Sequence, residues 1–307
     1  IPKTDAFVSK APLTYIGHLL GHEGPTSLLN RFKQLGWATG LQAGRSIAMT
    51  SSQSMSVNVS LTPEGYKNRQ QIIADILSAI RRLELDGLEE WRFKELKTVN
   101  EAFFQFAEES DPISTVTGLA NRLHTTPPQE IFTRGNFFSS FDELIIRDIL
   151  TWLTPETMLI NIVAPEINAN ETTPYYLTEM RQYVLPANQL SRFIEARKTP
   201  LKSIEWPLPN PFVRDPGKPL KVTRKTTSDT QPQVVLSTPG VWAYVLPENR
   251  FSQPRSDLYV SLRTPLASDS PESALMADLL ARAINENFNF LNYDAMLAGA
   301  GFRARAT

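Results

Sequence analysis

The chain has 307 residues, with 31 basic and 32 acidic side chains, a formal charge of −1 and no cysteine. The absence of cysteine excludes disulfides, thiolate metal ligands and cysteine nucleophiles, while the length allows at least one large core. The balanced charge gives no global field for nucleic acid or anionic lipid, and no apolar run approaches the roughly 20 residues that span a bilayer. We therefore expect no nucleic-acid partner and no membrane span. The chain begins "IPKTDAF" rather than with methionine, so we expect a processed or excised piece.

The first part of the chain predicts helices around a strand pair. Pro25 opens an amphipathic helical pattern that runs to Gly36. "TGLQAGRSIAM" (39–49) and "SMSVNVSLT" (54–62) follow as two strands, because apolar and polar residues alternate in the second. Thr62 then predicts the N-cap of the next helix.

Further helices are predicted after Gly87, after Asp111 and in "FDELIIRDILTWL", before a strand from Thr157 to Val163. Strands are thus segregated from helices instead of alternating with them. This order favours an α+β fold in which an antiparallel sheet is layered with helices, and we assign residues 1–200 to such a domain.

Prolines crowd together between Trp206 and Pro254, which predicts an inter-domain linker at 201–239. "GVWAYVLP" and "DLYVSLRTP" then predict strands, and "PESALMADLLARAINENF" predicts a helix. So few elements cannot bury a full layer. We therefore interpret 240–307 as an incomplete second unit of similar type, the truncated beginning of a further domain.

The segment "YIGHLLGHEGPTSLL" places His18 and His22 four residues apart, the spacing of two imidazoles on one helical face. Catalytic zinc helices of the HExxH or HxxEH type put a glutamate between the histidines. Here Leu19 and Gly21 occupy those positions, and Glu23 lies about 100° further round a helix. The pattern argues against catalytic zinc, and leaves open adventitious metal binding and a structural or peptide-contact role.

Three other groups of residues were considered as candidate sites, and each is explained by core packing or by an exposed position. The basic segment 221–229 lacks the aromatic residues that stack on bases, so it predicts a solvated loop. His124 at a helix end predicts a cation facing the helix dipole. The three phenylalanines of "NEAFFQF" (100–106) predict core packing.

The turn "GHEGPTS" and the strand "TGLQAGRS" together predict a peptide-binding edge. Gly24 and Pro25 place a helix N-terminus near a glycine-containing strand. An edge strand could pair with an extended peptide, and Glu23 could attract its terminal ammonium.

The stretch "YIGHLLGHEGPTSLLNRFKQLGWATGLQAG" resembles the start of the second homologous domain in the insulysin and pitrilysin family of zinc metallopeptidases. The resemblance continues through "SVNVSLTPEGYKNRQQIIADILSAIRRLELDGLEEWRFKELKTVNEAFFQF", "LPNPFVRD" and "RTPLASDSPESALMADLLARAINENFNFLNYDAMLAGAGF". It implies a non-catalytic α+β roll domain at 1–200 and the start of another at 240–307. In the family, four such domains enclose a proteolytic chamber.

The resemblance also implies what the chain does. Zinc and the HxxEH motif belong to a first domain outside this chain, so no catalytic residue, metal ligand or cofactor is assigned here, and the chain alone is expected to be inactive. Its expected role is chamber wall and substrate anchor in a zinc metalloendopeptidase. The residues that match the family's peptide-holding loop and strand are His22, Glu23, Gly24, Leu41, Ala43, Gly44 and Arg45. Arg45 replaces an uncharged residue that is common at this position.

The alternative is an inactive partner or scaffold subunit of a two-chain peptidase of the same family. The expected partners are peptide substrates and the remaining domains of the parent protein. Apolar surface meant for those domains predicts self-association. The resemblance to bacterial members implies a periplasmic or cell-envelope location.

Overall fold

The structure is a computed structural model, and it describes residues 1–2, 5–49, 52–107, 111–213, 231–246 and 256–306. The basic segment 221–229 and much of the predicted linker lie outside the described residues. No described helix is both long and apolar enough to cross a membrane.

Ten α-helices and six strands occur in the described part of the chain. The helices are α1 (Pro12–Leu20), α2 (Leu28–Gln34), α3 (Pro63–Lys67), α4 (Arg69–Asp86), α5 (Glu90–Gln105), α6 (Pro112–Leu123), α7 (Glu143–Trp152), α8 (Ala187–Lys198), α9 (Pro271–Asn287) and α10 (Asn289–Leu297). The strands are β1 (Ala38–Ala48), β2 (Gln53–Leu61), β3 (Glu171–Thr172), β4 (Glu179–Met180), β5 (Gln233–Thr238) and β6 (Val241–Val245).

The strands form three separate antiparallel pairs, β1 with β2, β3 with β4 and β5 with β6. The α+β class with antiparallel pairing is confirmed, although each described sheet has only two strands. In β2 the predicted alternation is also confirmed, since its apolar side chains pack against the core whereas Asn58 and Ser60 are exposed.

The core lies where α1, α2, β1 and α4 meet, and α7 and α8 extend it. Its largest fully buried side chains are Tyr15, Phe32, Phe93, Phe193, Ile16, Leu20, Leu29, Leu83, Ile146, Leu150 and Ile204. Burying one such side chain contributes about 1.5–3 kcal/mol, so this cluster holds α1 firmly against its neighbours.

Local signals placed several helix starts correctly. The Thr62 hydroxyl accepts a hydrogen bond from the Gly65 N–H at 2.9 Å, and the Asp111 carboxylate accepts one from the Ser114 N–H at 2.9 Å. The predicted start at Pro25 is wrong, because α2 begins at Leu28 with Ser27 as its N-cap.

The predicted strand from Thr157 to Val163 is also wrong. Thr157 ends a 3₁₀ turn, and the chain beyond it alternates, with Met158 and Ile160 packed on the core and Leu159 and Val163 exposed. This is the side-chain pattern of a strand. However, no described strand lies beside it, and a strand is defined by its ladder of hydrogen bonds as well as by its alternation.

The later residues depart from expectation in two places. β5 lies inside the predicted linker and pairs with the predicted strand β6. "DLYVSLRTP" forms no strand, and its side chains Leu258, Tyr259 and Val260 are exposed. The helix predicted at Pro271 is confirmed, with Ser270 as its N-cap.

Residues 201–212 are bound to the helices around them. The Trp206 indole N–H donates to the Asp86 carboxylate at 2.8 Å. The Asn210 backbone N–H donates to the Glu95 carboxylate at 2.9 Å, while its side-chain amide donates to the Asp294 carbonyl at 2.6 Å. Asn210 therefore joins α5 to α10.

Candidate functional site

Helix α1 packs directly on the backbone of β1. A Cβ atom at Gly17 would lie 2.9 Å from both the Ala43 carbonyl oxygen and the Gly44 Cα, and one at Gly21 would lie 3.1 Å from the Ala43 nitrogen. Only glycine permits this approach. Gly17 lies at the Gly44 side of Ala43 and Gly21 at its nitrogen side, so the C-terminal end of α1 lies toward the start of β1.

The turn that follows α1 contains the first three predicted anchor residues. α1 ends at Leu20 with Gly21 as its C-cap, so His22 lies beyond the helix and the two imidazoles do not share one helical face. Its Nδ1 accepts a hydrogen bond from the Gly24 N–H at 2.9 Å. The proton of the neutral His22 ring is therefore on Nε2.

The two histidines nevertheless meet. Their ring centroids are 5.6 Å apart and the rings are nearly perpendicular. Burial lowers the pKa of His18 to about 4, with a smaller contribution from the nearby Arg92 charge, and burial lowers the pKa of His22 to about 4, with a smaller contribution from His18. Both rings are consequently neutral at pH 7 and do not oppose a cation.

These histidines do not make a metal site with other described residues. No group of three or more histidine, cysteine, aspartate or glutamate side chains in the described ranges could hold a metal ion. One nitrogen of His22 is already used by Gly24. The residues present therefore do not fit a catalytic zinc ion, which needs about three protein ligands and an open position.

The remaining anchor residues lie along β1. Leu41 is buried, Ala43 and Gly44 are half-buried and Arg45 is exposed. Leu41 stands opposite Val59 and Arg45 opposite Met55 in β2. In an antiparallel pair, alternate residues direct their N–H and C=O groups away from the partner, and β1 pairs only with β2 among the described strands. The other edge of β1 therefore has backbone N–H and C=O groups with no strand partner among the described residues.

Tyr293 of α10 contacts the candidate site, and the sequence analysis did not name it. Its ring packs edge-on against His22, with centroids 5.0 Å apart. Burial raises the pKa of Tyr293 to about 12; the Glu23 charge adds to this rise, whereas a hydrogen bond with the Glu23 backbone opposes it. Helix α10 therefore contacts the anchor turn, and a separation of about 270 residues left no local signal for this contact.

Two features of this turn favour a bound cation. The C-terminal end of α1 carries the negative end of the helix dipole, and Glu23 forms no ion pair with the described residues. The neighbouring imidazoles are neutral. The Arg92 charge that acts on His18 and the positive N-terminal end of α2 oppose these features, so the Glu23 carboxylate itself is the group that would bind an ammonium.

Two further predictions from the sequence concern His124 and the phenylalanines at 100–106. His124 is the C-cap of α6 and is exposed, as its predicted position at a helix end requires. The predicted core packing of the phenylalanines is wrong for Phe103, which is 54% exposed. Phe104 instead packs edge-on against Phe137, with centroids 4.8 Å apart, outside the main core.

Two family models match the chain. Residues 104–307 match the "middle or third domain of peptidase_M16", and residues 2–100 match the "peptidase M16 inactive domain".

Individual relatives agree with these models. The chain is 28% identical over 298 residues to the insulin-degrading enzyme of Homo sapiens, covering 96% of the chain and 29% of the relative. It is 26% identical over 294 residues to the peroxisomal insulin-degrading enzyme-like 1 of Arabidopsis thaliana, covering 94% of the chain and 30% of the relative. The chain thus spans about 30% of the length of these relatives.

Among solved structures, a crystal structure of pitrilysin superposes with a TM-score of 0.71 at 21% identity. The superposition covers 96% of this chain and 31% of that chain. At this identity the match supports the fold.

Proposed function

The chain belongs to the M16 peptidase family, and we propose that it is a non-catalytic segment of a larger peptidase, whose turn after α1 and open β1 edge hold the N-terminal part of a peptide substrate. The observation that carries this proposal is the packing of Gly17 and Gly21 on Ala43. It brings the turn that contains Glu23 close to β1, whose other edge has no partner among the described strands.

The binding mode follows from these two features. An extended peptide adds to the edge of β1 through backbone hydrogen bonds, which give affinity with little dependence on sequence. Its terminal ammonium lies at Glu23 and the C-terminal end of α1. The Nε2–H of His22 is available to donate to a peptide carbonyl, and Tyr293 closes the turn from the side of α10.

The remaining domains of the parent protein would complete the enzyme. The zinc ion and the HxxEH motif would lie in those domains, and this segment would form part of the wall of a peptide-enclosing chamber. The match to the inactive-domain family over residues 2–100 supports a wall role. The chain by itself is then expected to bind peptides without cleaving them.

The test compares a free and an acetylated N-terminus. A fluorescent, unstructured peptide of about ten residues is long enough to cover β1, and its dissociation constant is measured by anisotropy with the 307-residue chain. An exposed ion pair contributes about 0.2–1 kcal/mol, so we expect acetylation to weaken binding by roughly two- to fivefold.

Glu23→Gln should abolish the difference between the two peptides. Glu156→Gln is the matched control, because it removes the same charge from an exposed position in the 3₁₀ turn Pro155–Thr157. Equal binding of both peptides to the unmodified chain would overturn the ammonium site. Absence of any binding at high peptide concentration would overturn the whole proposal.

A further inference from the structure

We propose that Arg45 makes this segment selective for peptides with an acidic side chain at about the fourth to sixth residue from the N-terminus. This inference rests on the proposed function and adds a substrate class to it. It would hold for any peptide that enters β1 from the anchor turn.

Arg45 differs from the other arginines of its domain. Every other described arginine between residues 1 and 200 has an ion pair, a hydrogen bond or an aromatic ring as partner. These are Arg31, Arg69, Arg81, Arg82, Arg92, Arg122, Arg134, Arg147, Arg181, Arg192 and Arg197. Arg45 has no such partner among the described residues.

The strand pair itself cannot neutralise this guanidinium. Neither β1 nor β2 contains an acidic residue, and Arg45 stands opposite Met55. Arg45 is exposed, and its guanidinium has no acidic partner among the described residues. A carboxylate is the partner that a guanidinium binds best, because its two oxygens match the planar donors.

The position of Arg45 along β1 sets the peptide residue that it meets. Because the C-terminal end of α1 lies toward the start of β1, the anchor turn lies toward the Leu41 end of β1 and Arg45 lies toward the other end. Four residues of strand span about 13 Å. A peptide whose first residue lies at the turn covers this distance in about four residues.

Glu23 and Arg45, which have no ion-pair partner among the described residues, are thus complementary to one kind of peptide. Glu23 matches a terminal ammonium, and Arg45 matches a carboxylate about four residues further along. A peptide with a lysine at that position would instead place two cations together. We expect this repulsion to reduce affinity. The segment would therefore select acidic over basic peptides both by attracting the carboxylate and by repelling the ammonium.

The experiment uses three matched peptides that carry aspartate, asparagine or lysine at the fifth residue. Their dissociation constants are measured by anisotropy with the 307-residue chain. For an exposed pair we expect the aspartate peptide to bind roughly two- to fivefold tighter than the asparagine peptide, and the lysine peptide to bind weakest. The differences should shrink between about 50 mM and about 500 mM salt, because exposed charges are screened.

Arg45→Glu should reverse the order, so that the lysine peptide binds tightest. Arg45→Met should remove the order while retaining the stem of the side chain. Arg263→Glu is the matched control for net charge, since Arg263 is exposed in the segment after β6 and outside the edge; it should leave the order unchanged.

The outcomes separate this inference from the proposed function. If acetylation weakens binding as expected but Arg45→Glu leaves the order of the three peptides unchanged, the selectivity is overturned and the anchor remains. If acetylation has no effect, or if none of the peptides binds, the proposed function fails and the selectivity fails with it. If Arg263→Glu reverses the order as well, general electrostatics replaces Arg45 as the cause, which also overturns the inference.

Discussion

Replacing Gly17 by alanine tests the contact that positions the candidate site. Gly17 lies inside α1 with its Cα against β1, and an added Cβ would lie 2.9 Å from the Ala43 carbonyl oxygen and from the Gly44 Cα. Both neighbouring atoms belong to the backbone, so neither can move aside by a change of rotamer. The helix or the strand must shift instead.

Two free-energy contributions of opposite sign determine the effect of Gly17→Ala on stability. Alanine is favoured over glycine inside a helix by about 1 kcal/mol. Forcing an extra methyl group into a packed contact costs about 1–3 kcal/mol. We therefore expect Gly17→Ala to lower the free energy of unfolding by about 0–2 kcal/mol, even though it improves the helix.

Gly118→Ala is the matched control. Gly118 also lies inside a helix, α6, but an added Cβ would meet nothing within 4 Å. Only the helical term applies, and we expect a gain of about 0.5–1 kcal/mol. The difference of about 1–3 kcal/mol between the variants is the cost of the α1–β1 contact.

Urea unfolding followed by tryptophan fluorescence measures both variants. Trp37, next to β1, packs against the core and reports on this region. If Gly17→Ala stabilises the chain as much as Gly118→Ala does, then α1 does not pack on β1 at Ala43. The geometry of the anchor would then be wrong.

Three further predictions concern one buried and two half-buried polar side chains. Tyr15→Phe should lower the free energy of unfolding in urea by about 1–3 kcal/mol. The buried hydroxyl donates to the Gly87 carbonyl at 2.9 Å, and its removal takes this donor from the carbonyl. An unchanged urea midpoint would refute this prediction. Burial tends to raise the pKa of Glu84, but hydrogen bonds from Arg197 and Arg81 outweigh it, and the net pKa is lowered. The ionised carboxylate therefore stabilises the fold above the usual glutamate pKa, and this stabilisation is lost as the pH falls through the lower, folded pKa. Glu84→Gln should reduce the loss of thermal stability below about pH 4.5, and an identical acid profile would contradict the ion pair. Tyr293→Leu should weaken peptide binding and leave the hydrogen-exchange protection of the α4 amides nearly unchanged. Full retention of affinity would exclude Tyr293 from the proposed anchor.

The pH dependence of the histidine pair has a definite sign. The pKa values of His18 and His22 are lowered from 6.5 to about 4, mainly by burial, so the unfolded chain binds more protons in this window. Stability should therefore fall as the pH decreases from about 6.5 to about 4. A double His18→Gln, His22→Gln variant should flatten that part of the profile, measured by urea unfolding; an unaltered slope would show that the rings are not buried as neutral groups.

Local chemistry explains which parts of the fold could be predicted from the sequence. The caps at Thr62 and Asp111 are set by side chains within three residues of the N–H groups they bind. The strand pair was equally predictable, since alternation in β2 is a local pattern. By contrast, Thr157 to Val163 has the alternation of a strand without a neighbour, and pairing is a property of distant chain segments.

The residues of the candidate site also fall into those that the sequence could identify and those that it could not. The predicted anchor residues on β1 and in the turn were named from a resemblance over continuous sequence, and their peptide-binding role stays a prediction. The histidine spacing was misleading because Gly21 ends α1 before His22, although both rings still meet. Tyr293 could not be found, because its contact with His22 depends on how α10 packs, and tertiary packing leaves no periodic signal.

Hydrogen–deuterium exchange with and without a saturating peptide tests the central claim most directly. If the peptide adds to the open edge of β1, the amides of residues 41–45 and of the turn at 22–24 should exchange more slowly when it is bound, while β5 and β6 should be unaffected. Bound peptide that leaves 41–45 and 22–24 unprotected, or that protects only β5 and β6, would contradict the account.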